Sequence, residues 1–187
     1  MSRWEPNASD RLQEAALQLY LERGFDQSTV AEIAERAGLT ERTYFRYFAD
    51  KREALFGGQA MLTEILLAGI ADAPADGAPL DVIGTALTAL GAMFDGRRDH
   101  ARRRQSVIDA NPALQERELI KLATLSTAMA EALRDRGIDD PAAQLAAETG
   151  MAVFKVAFGR WVHDSTAAGL AEIVTSTMDD LKALTAQ

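Results

Sequence analysis

The chain contains no cysteine, which excludes disulfides, zinc–thiolate centres and thiol nucleophiles. Its two histidines, His100 and His163, stand apart and outside any HExxH arrangement, and there is neither a Gly-Lys-Ser/Thr phosphate loop nor a Gly-x-Ser-x-Gly elbow. These absences remove the common signatures of catalysis, so no enzyme, metal or other cofactor is expected. Proline is scarce, aromatic residues make up 6% of the chain, and β-branched runs are few. Ala, Leu, Glu, Arg and Asp dominate instead, which favours helix over sheet. Long apolar runs are lacking as well: the clearest, Ile65 to Ala71, is about a third of the ~20 residues of a membrane span. The polar start MSRWEPNASD has no signal-peptide core, so a cytoplasmic protein without a membrane partner is expected.

Positive charge is also in deficit, with a net charge of -8. That balance is unusual for a nucleic-acid binder, because Lys and Arg facing phosphates supply most non-specific affinity. The distribution is more informative than the sum. Residues 1–56 hold eight Lys or Arg against ten Asp or Glu, yet the segment Arg42 to Arg52 holds four cations and one anion. Any nucleic acid would therefore meet that short stripe.

What the chain does have is 48% apolar content in 187 residues, ample for a core, arranged with helical period. Leu12, Ala15, Ala16, Leu19 and Tyr20 recur at one-face spacing after Asn7 or Ser9 as N-cap, and Gly24 ends the run. Thr29-Val30-Ala31-Glu32 is a capping box opening a helix with Val30, Ile33, Ala34 and Ala37 inward. Gly38 supplies a tight turn, and Thr40 caps a short helix through Tyr44 to Tyr47. Asp50-Lys51-Arg52-Glu53 is a third capping signature, for a longer helix that Gly57-Gly58 would bend. After the loop at residues 72–79, helices are expected over 80–94, 97–109, 112–136, from Pro141 to the low 160s, and over about 170–185. The fold expected is all-α, with an N-terminal three-helix domain over 1–56 joined to a larger helical bundle over 57–187.

A capped helix, a glycine turn and a short polar-aromatic helix form the layout of a helix-turn-helix, whose second helix enters the major groove. With Thr29-Val30-Ala31-Glu32-Ile33-Ala34, Ala37-Gly38-Leu39-Thr40, Thr43-Tyr44-Phe45-Arg46-Tyr47-Phe48 and Lys51, residues 8–56 resemble the DNA-binding half of the tetracycline-repressor (TetR) family of transcriptional regulators. The downstream half is similar in layout only. The resemblance implies a homodimer on a double-stranded DNA operator that is an approximate palindrome, repression, and an unknown small-molecule effector held in the C-terminal domain.

By role, Arg42 and Thr43 suit base edges, arginine by bidentate donation to guanine and threonine by its methyl. Thr29, Thr40, Tyr47 and Lys51 suit phosphates. Many members of the family carry Tyr where this chain has Phe45, which cannot bond a phosphate, so that task falls to Tyr47 or Tyr44, with Tyr47 preferred. Phe45 and Phe48 read as core. Each threonine is equally an ordinary helix cap, and Arg42 and Lys51 are ordinary solvated charges unless the motif joins them.

In the second half, Met93, Phe94, Val107, Ile108, Leu122, Leu125, Met129, Phe154 and Phe158 are large apolar residues on helices expected to surround the effector, with Arg103, Gln105 or Arg160 as polar anchors. Plain core packing explains the apolar ones equally well. The basic run Arg97, Arg98, Arg102, Arg103 and Arg104 reads either as a solvated helix face or as partners for acids of residues 1–56. Small residues around 140–164 and an apolar seam over 167–185 suit a four-helix dimer interface. The competing function is a helical protein-interaction module that has lost DNA binding.

Overall fold

The computed structural model describes residues 7–164 and 168–186, and among them there are α-helices, one 3-10 turn and no strand. The helices are α1 (Ala8–Arg23), α2 (Val30–Arg36), α3 (Glu41–Tyr47), α4 (Gln59–Asp72), α5 (Pro79–Ala92), α6 (Arg98–Asp109), α7 (Pro112–Asp135), α8 (Ala142–His163) and α9 (Leu170–Thr185). Most starts follow the sequence signals. Asn7 accepts from the Asp10 amide, Thr29 and Thr40 cap α2 and α3, and Pro79 and Pro112 occupy first helical positions.

The helix expected to run on from Asp50 is instead two elements, a 3-10 turn at Glu53–Leu55 and α4 from Gln59. Gly58, at φ +88, lies between them in a backbone conformation that no helix contains. This break matters for the apolar stretch Glu53–Asp72, whose mean hydropathy of 1.5 makes it long and apolar enough to cross a membrane by composition, and which is longer than the run noted from sequence. Folded, its continuous part is the 14 residues of α4, about 21 Å long and short of a bilayer core. Leu66 and Ile70 lie in a protein core.

The chain divides into two units, and the division is not a single cut. One unit contains the described residues up to Gly58 together with Arg103–Glu118; the other contains Gln59–Arg102 and the described residues from Leu119 onward. In the first, Leu12, Ala16, Leu19, Tyr20, Ile33, Tyr44 and Phe48 of the N-terminal helices share a core with Val107, Ile108 and Leu114. A boundary at residue 56 alone therefore leaves out a stretch whose apolar face completes this core.

In the second unit α5 packs on α4, α8 and α9. The small residues permit it: a Cβ at Gly91 would stand 2.7 Å from the backbone of Ala171, well inside van der Waals contact, so α5 and α9 meet at glycine. Arg136 closes the end of α4, donating to the carbonyls of Ile70 at 2.8 Å and Pro74 at 2.6 Å. Gly91→Ala is expected to destabilise this unit by about 1–3 kcal/mol, the range for overpacking a tight contact. Urea denaturation followed by circular dichroism checks this as a lower midpoint.

Candidate nucleic-acid interface

The seven residues of α3 are fixed in rotation by Tyr44 among them and by Phe48, the residue that caps the helix at its C-terminus. Tyr44 is fully buried and Phe48 is 7% exposed, and with about 100° per residue they define one inward stripe. Arg42 and Arg46 consequently point the opposite way, with Thr43 and Tyr47 on one flank and Phe45 on the other. Arg42, Phe45, Arg46 and Tyr47 are all exposed, Phe45 by 54% and Tyr47 by 43%. The turn that presents α3 depends on Gly38 at φ +66, in the left-handed region where a side chain is strained.

Two expected aromatic roles change. Tyr44, a candidate for phosphate contact, has its ring in the core and its hydroxyl donating to the Asp50 carbonyl at 3.0 Å. Burial, aided by the nearby Asp50 and Glu53 carboxylates, raises its pKa well above that of an ordinary phenol, so it stays a neutral donor turned inward. Phe45, read as core, is the exposed ring. The helical period carries the signal: once Tyr44 and Phe48 share a stripe at i and i+4, Phe45 and Tyr47 must lie off it.

Lys51, expected on a phosphate, is turned onto the protein. Its Nζ donates to the carbonyls of Phe25 at 2.9 Å, Ser28 at 3.3 Å and Asp26 at 3.4 Å, and lies 4.3 Å from the centre of the Phe25 ring. Three donors meet three carbonyls, so this ammonium is a staple for the segment between α1 and α2.

The threonines are caps with part of their hydroxyl capacity left over. Thr29 accepts from the Glu32 amide at 3.3 Å, and both its amide and its hydroxyl donate to the Glu32 carboxylate, at 2.9 and 2.8 Å. These bonds, the hydroxyl's first, with Arg23 nearby, hold the Glu32 carboxyl below the usual carboxylate range. Its support of α2 is therefore present at neutral pH and fades as pH falls through the lowered value. Thr40 accepts from the Thr43 amide at 3.2 Å and shares one hydrogen bond with the Thr43 hydroxyl at 3.1 Å. Two hydroxyl protons serve that single bond, leaving one free to face outward.

Among the described residues the cations of this half are mostly committed. Arg23 pairs with Glu32 at 2.8 Å, Arg36 with Glu22 at 2.7 Å and Arg52 with Asp50 at 2.6 Å, while Arg11 bonds the Ala37 carbonyl. Arg42 makes no hydrogen bond or ion pair, and Arg46 lies 5.0 Å from the Tyr47 ring centre and donates to its hydroxyl at 3.2 Å. Among the described cations of this half, Arg42 and Arg46 are thus the two without a carboxylate or carbonyl partner, both on the outward face of α3 beyond Glu41, where Arg46 and the exposed Phe45 join the residues expected from sequence.

Of the basic run, the four arginines within α6 are likewise engaged, while Arg97 before it is exposed. Arg98 donates to the Ala168 carbonyl at 2.8 Å and Arg102 to that of Val162 at 3.0 Å. Arg103 pairs with Glu14 at 3.7 Å, the acid pairing envisaged as one option, and Arg104 bonds the Leu55 carbonyl at 2.7 Å and Glu118 at 3.1 Å.

The residues expected around an effector divide between the units. Val107 and Ile108 lie in the core that includes Leu12 and Tyr44, and Arg103 is the partner of Glu14, because the second half of α6 belongs with the N-terminal helices. Met93, Phe94, Leu122, Leu125, Met129, Phe154 and Phe158 belong to the other core. There Phe94, Phe154, Phe158 and Trp161 form a continuous aromatic cluster with ring centres 5.7–5.9 Å apart. Gln105 bonds Asp109 at 2.8 Å, and Arg160 bonds Thr177 at 3.2 Å. The best-formed hollows among the described residues are open depressions of about 390 Å³ beside Leu19, Glu32 and Arg36 and about 160 Å³ beside Arg160 and Glu172. Neither is lined by the nine expected pocket residues.

Three variants separate structural from contact roles. Tyr44→Phe and Lys51→Met are each expected to lower unfolding free energy by about 0.5–3 kcal/mol, the range for neutral and charge-assisted hydrogen bonds. Arg42→Ala is expected to leave it within about 0.5 kcal/mol, as for an exposed unpartnered side chain. Thermal melts of the three proteins check this.

A family model described as bacterial regulatory proteins, tetR family, matches residues 12–56, and a second, the MftR C-terminal domain, matches residues 77–186. The chain is 27% identical over 172 residues to a Mycobacterium tuberculosis protein named as a mycofactocin biosynthesis transcriptional regulator, MftR, covering 90% of this chain and 86% of that one. It is 38% identical over 88 residues to the transcriptional regulator TcmR of Streptomyces glaucescens, covering 46% of this chain and 39% of TcmR. Among solved structures, the regulator FadR of Bacillus subtilis in complex with stearoyl-CoA superposes with a TM-score of 0.60 at 20% identity, covering 92% of this chain and 96% of that one. That last likeness shows the fold. With both family models matched in order along one chain, and the helix-turn-helix in place, the protein belongs to the TetR family of DNA-binding transcriptional regulators.

Proposed function

We propose that this regulator is a ligand-responsive repressor that binds a palindromic operator as a homodimer. The observation that carries the reading is the outward face of α3, where Arg42 stands unpartnered beside Thr43, Arg46 and Tyr47. An unpartnered guanidinium loses no intramolecular bond when it donates to guanine, and Tyr47, accepting from Arg46, keeps its own proton for a phosphate. Thr29 and Thr40 add hydroxyls at the ends of the two helices. Lys51 and Tyr44 act indirectly, by holding the backbone that carries α3.

Dimerisation is assigned to residues of about 140–164 and 167–185, of which residue 167 lies outside the described residues. In support, α8 carries an outward row of Leu145, Ala152 and Val156, with Leu145 62% and Val156 55% exposed, and Leu184 of α9 is 75% exposed. Two-fold symmetry would then present two copies of α3 to successive major grooves. The effector is assigned to the helices bearing Met93, Phe94, Leu125, Met129, Phe154 and Phe158, whose aromatic and aliphatic surface suits a hydrophobic or amphipathic molecule, and the stearoyl-CoA complex of the Bacillus subtilis relative supports that class. Binding there lowers operator affinity. Cytoplasmic location follows from this function.

The test begins with selection of genomic fragments by the purified protein and titration of the best fragment at several salt concentrations. A palindromic site bound by a dimer is expected. Arg42→Ala is expected to weaken it by about 1–3 kcal/mol, as for a lost bidentate base contact, and Thr43→Ala with Tyr47→Phe to reduce it to non-specific binding with the fold retained. Val156→Arg is expected to give monomers in sedimentation. Failure to enrich any fragment, with or without fatty acyl-CoA present, would favour the interaction-module reading.

A further inference from the structure

Phe45 is the one large apolar side chain that α3 turns away from the core without burying it: Tyr44 is fully covered and Phe48 is 7% exposed, against 54% for Phe45. Its ring is nonetheless held, edge-on against Tyr44, with centres 5.6 Å apart and planes at 81°. Tyr44 is itself pinned in the core by its bond to the Asp50 carbonyl. That edge-on contact favours one placement of an exposed phenyl, which lowers the ordering cost when it meets a partner.

The chemistry of that partner is narrow. A phenyl ring has no donor or acceptor and cannot read the hydrogen-bond pattern of base edges. In the major groove the apolar group available to it is the C5 methyl of thymine. The neighbours of Phe45 place it beside the bases: Arg42 is three residues earlier and Arg46 one later, both on the outward face. Three residues of helix rise about 4.5 Å, close to one base step of about 3.4 Å. A thymine met by Phe45 would therefore lie within about one or two base steps of the pair met by Arg42.

We propose that Phe45 is a specificity-determining residue that packs on one thymine methyl in each operator half-site. This rests on the operator-binding reading above, and its test is built to fail separately. In the selected fragment each thymine is replaced in turn by deoxyuridine, which removes the methyl and leaves every hydrogen-bonding group in place. Affinities are measured for the wild-type protein, Phe45→Ala and Phe45→Leu.

At one position per half-site, loss of the methyl is expected to weaken the wild type about 3- to 5-fold, the scale of one buried methyl. Phe45→Ala should be indifferent at that position and respond normally elsewhere, and Phe45→Leu should keep part of the effect. Matching melting curves for the three proteins keep the comparison one of contact and not of folding. If the wild type binds the unmodified fragment but no deoxyuridine position distinguishes it from Phe45→Ala, the proposal is overturned while the operator reading stands. If the wild type binds no fragment, the operator reading fails and this proposal falls with it.

Discussion

The peptide segment at Asp50 and Lys51 is the point on which the DNA-facing unit turns. Two buried tyrosines donate to its successive carbonyls, Tyr44 to Asp50 at 3.0 Å and Tyr20 to Lys51 at 2.5 Å, while Lys51 reaches back to the carbonyls of Phe25, Asp26 and Ser28. Burial raises the pKa of both phenols, which keeps them as neutral donors. A buried carbonyl without a donor is costly, so these bonds bind α1, α3 and the segment before α2 to one backbone position. The rotational setting of α3 follows: Tyr44 must face inward to reach Asp50, and Arg42 and Arg46 are thereby turned outward.

The same economy governs charge. In a chain with net charge -8, most cations of the N-terminal half are neutralised locally. Arg23, Arg36 and Arg52 spend themselves on carboxylates, and Arg11 and Lys51 on carbonyls. Exposed pairs of this kind contribute little to stability. Their effect is to leave Arg42 and Arg46 of α3 as the cations of this half without a carboxylate or carbonyl partner among the described residues.

Much of this was legible in the sequence because local signals and tertiary structure agree. Thr29 with Glu32, Thr40, Gly38 and Pro112 each specify a helix end through their own chemistry, and the structure places helix ends there. The helix-turn-helix layout and the all-α class follow from those ends and from period. The difficulties arose where one signal allows two tertiary outcomes. Val107 and Ile108 read correctly as buried, but an apolar stripe does not state which core it enters, and theirs is the one around Leu12. Lys51 read as a cation, and nothing local reveals that carbonyls 23 to 26 residues earlier will claim it. The exchange of Tyr44 and Phe45 is different in kind. Period alone puts Tyr44 with Phe48; weighing polarity above position sent the phenol outward and the phenyl inward.

The concentration of unpaired charge on α3 has a kinetic side. Affinity for arbitrary sequence grows with the number of phosphates a protein neutralises, since each releases condensed counterions. A protomer offering chiefly Arg42 and Arg46 has few such contacts, and its acidic remainder repels the duplex beyond about 10 Å only where salt is low. On the proposed operator reading, residence on random DNA would be correspondingly brief, and the target would be reached by many short encounters from solution instead of long one-dimensional excursions. On that reading, a regulator built this way would leave little of its population on the bulk of the chromosome.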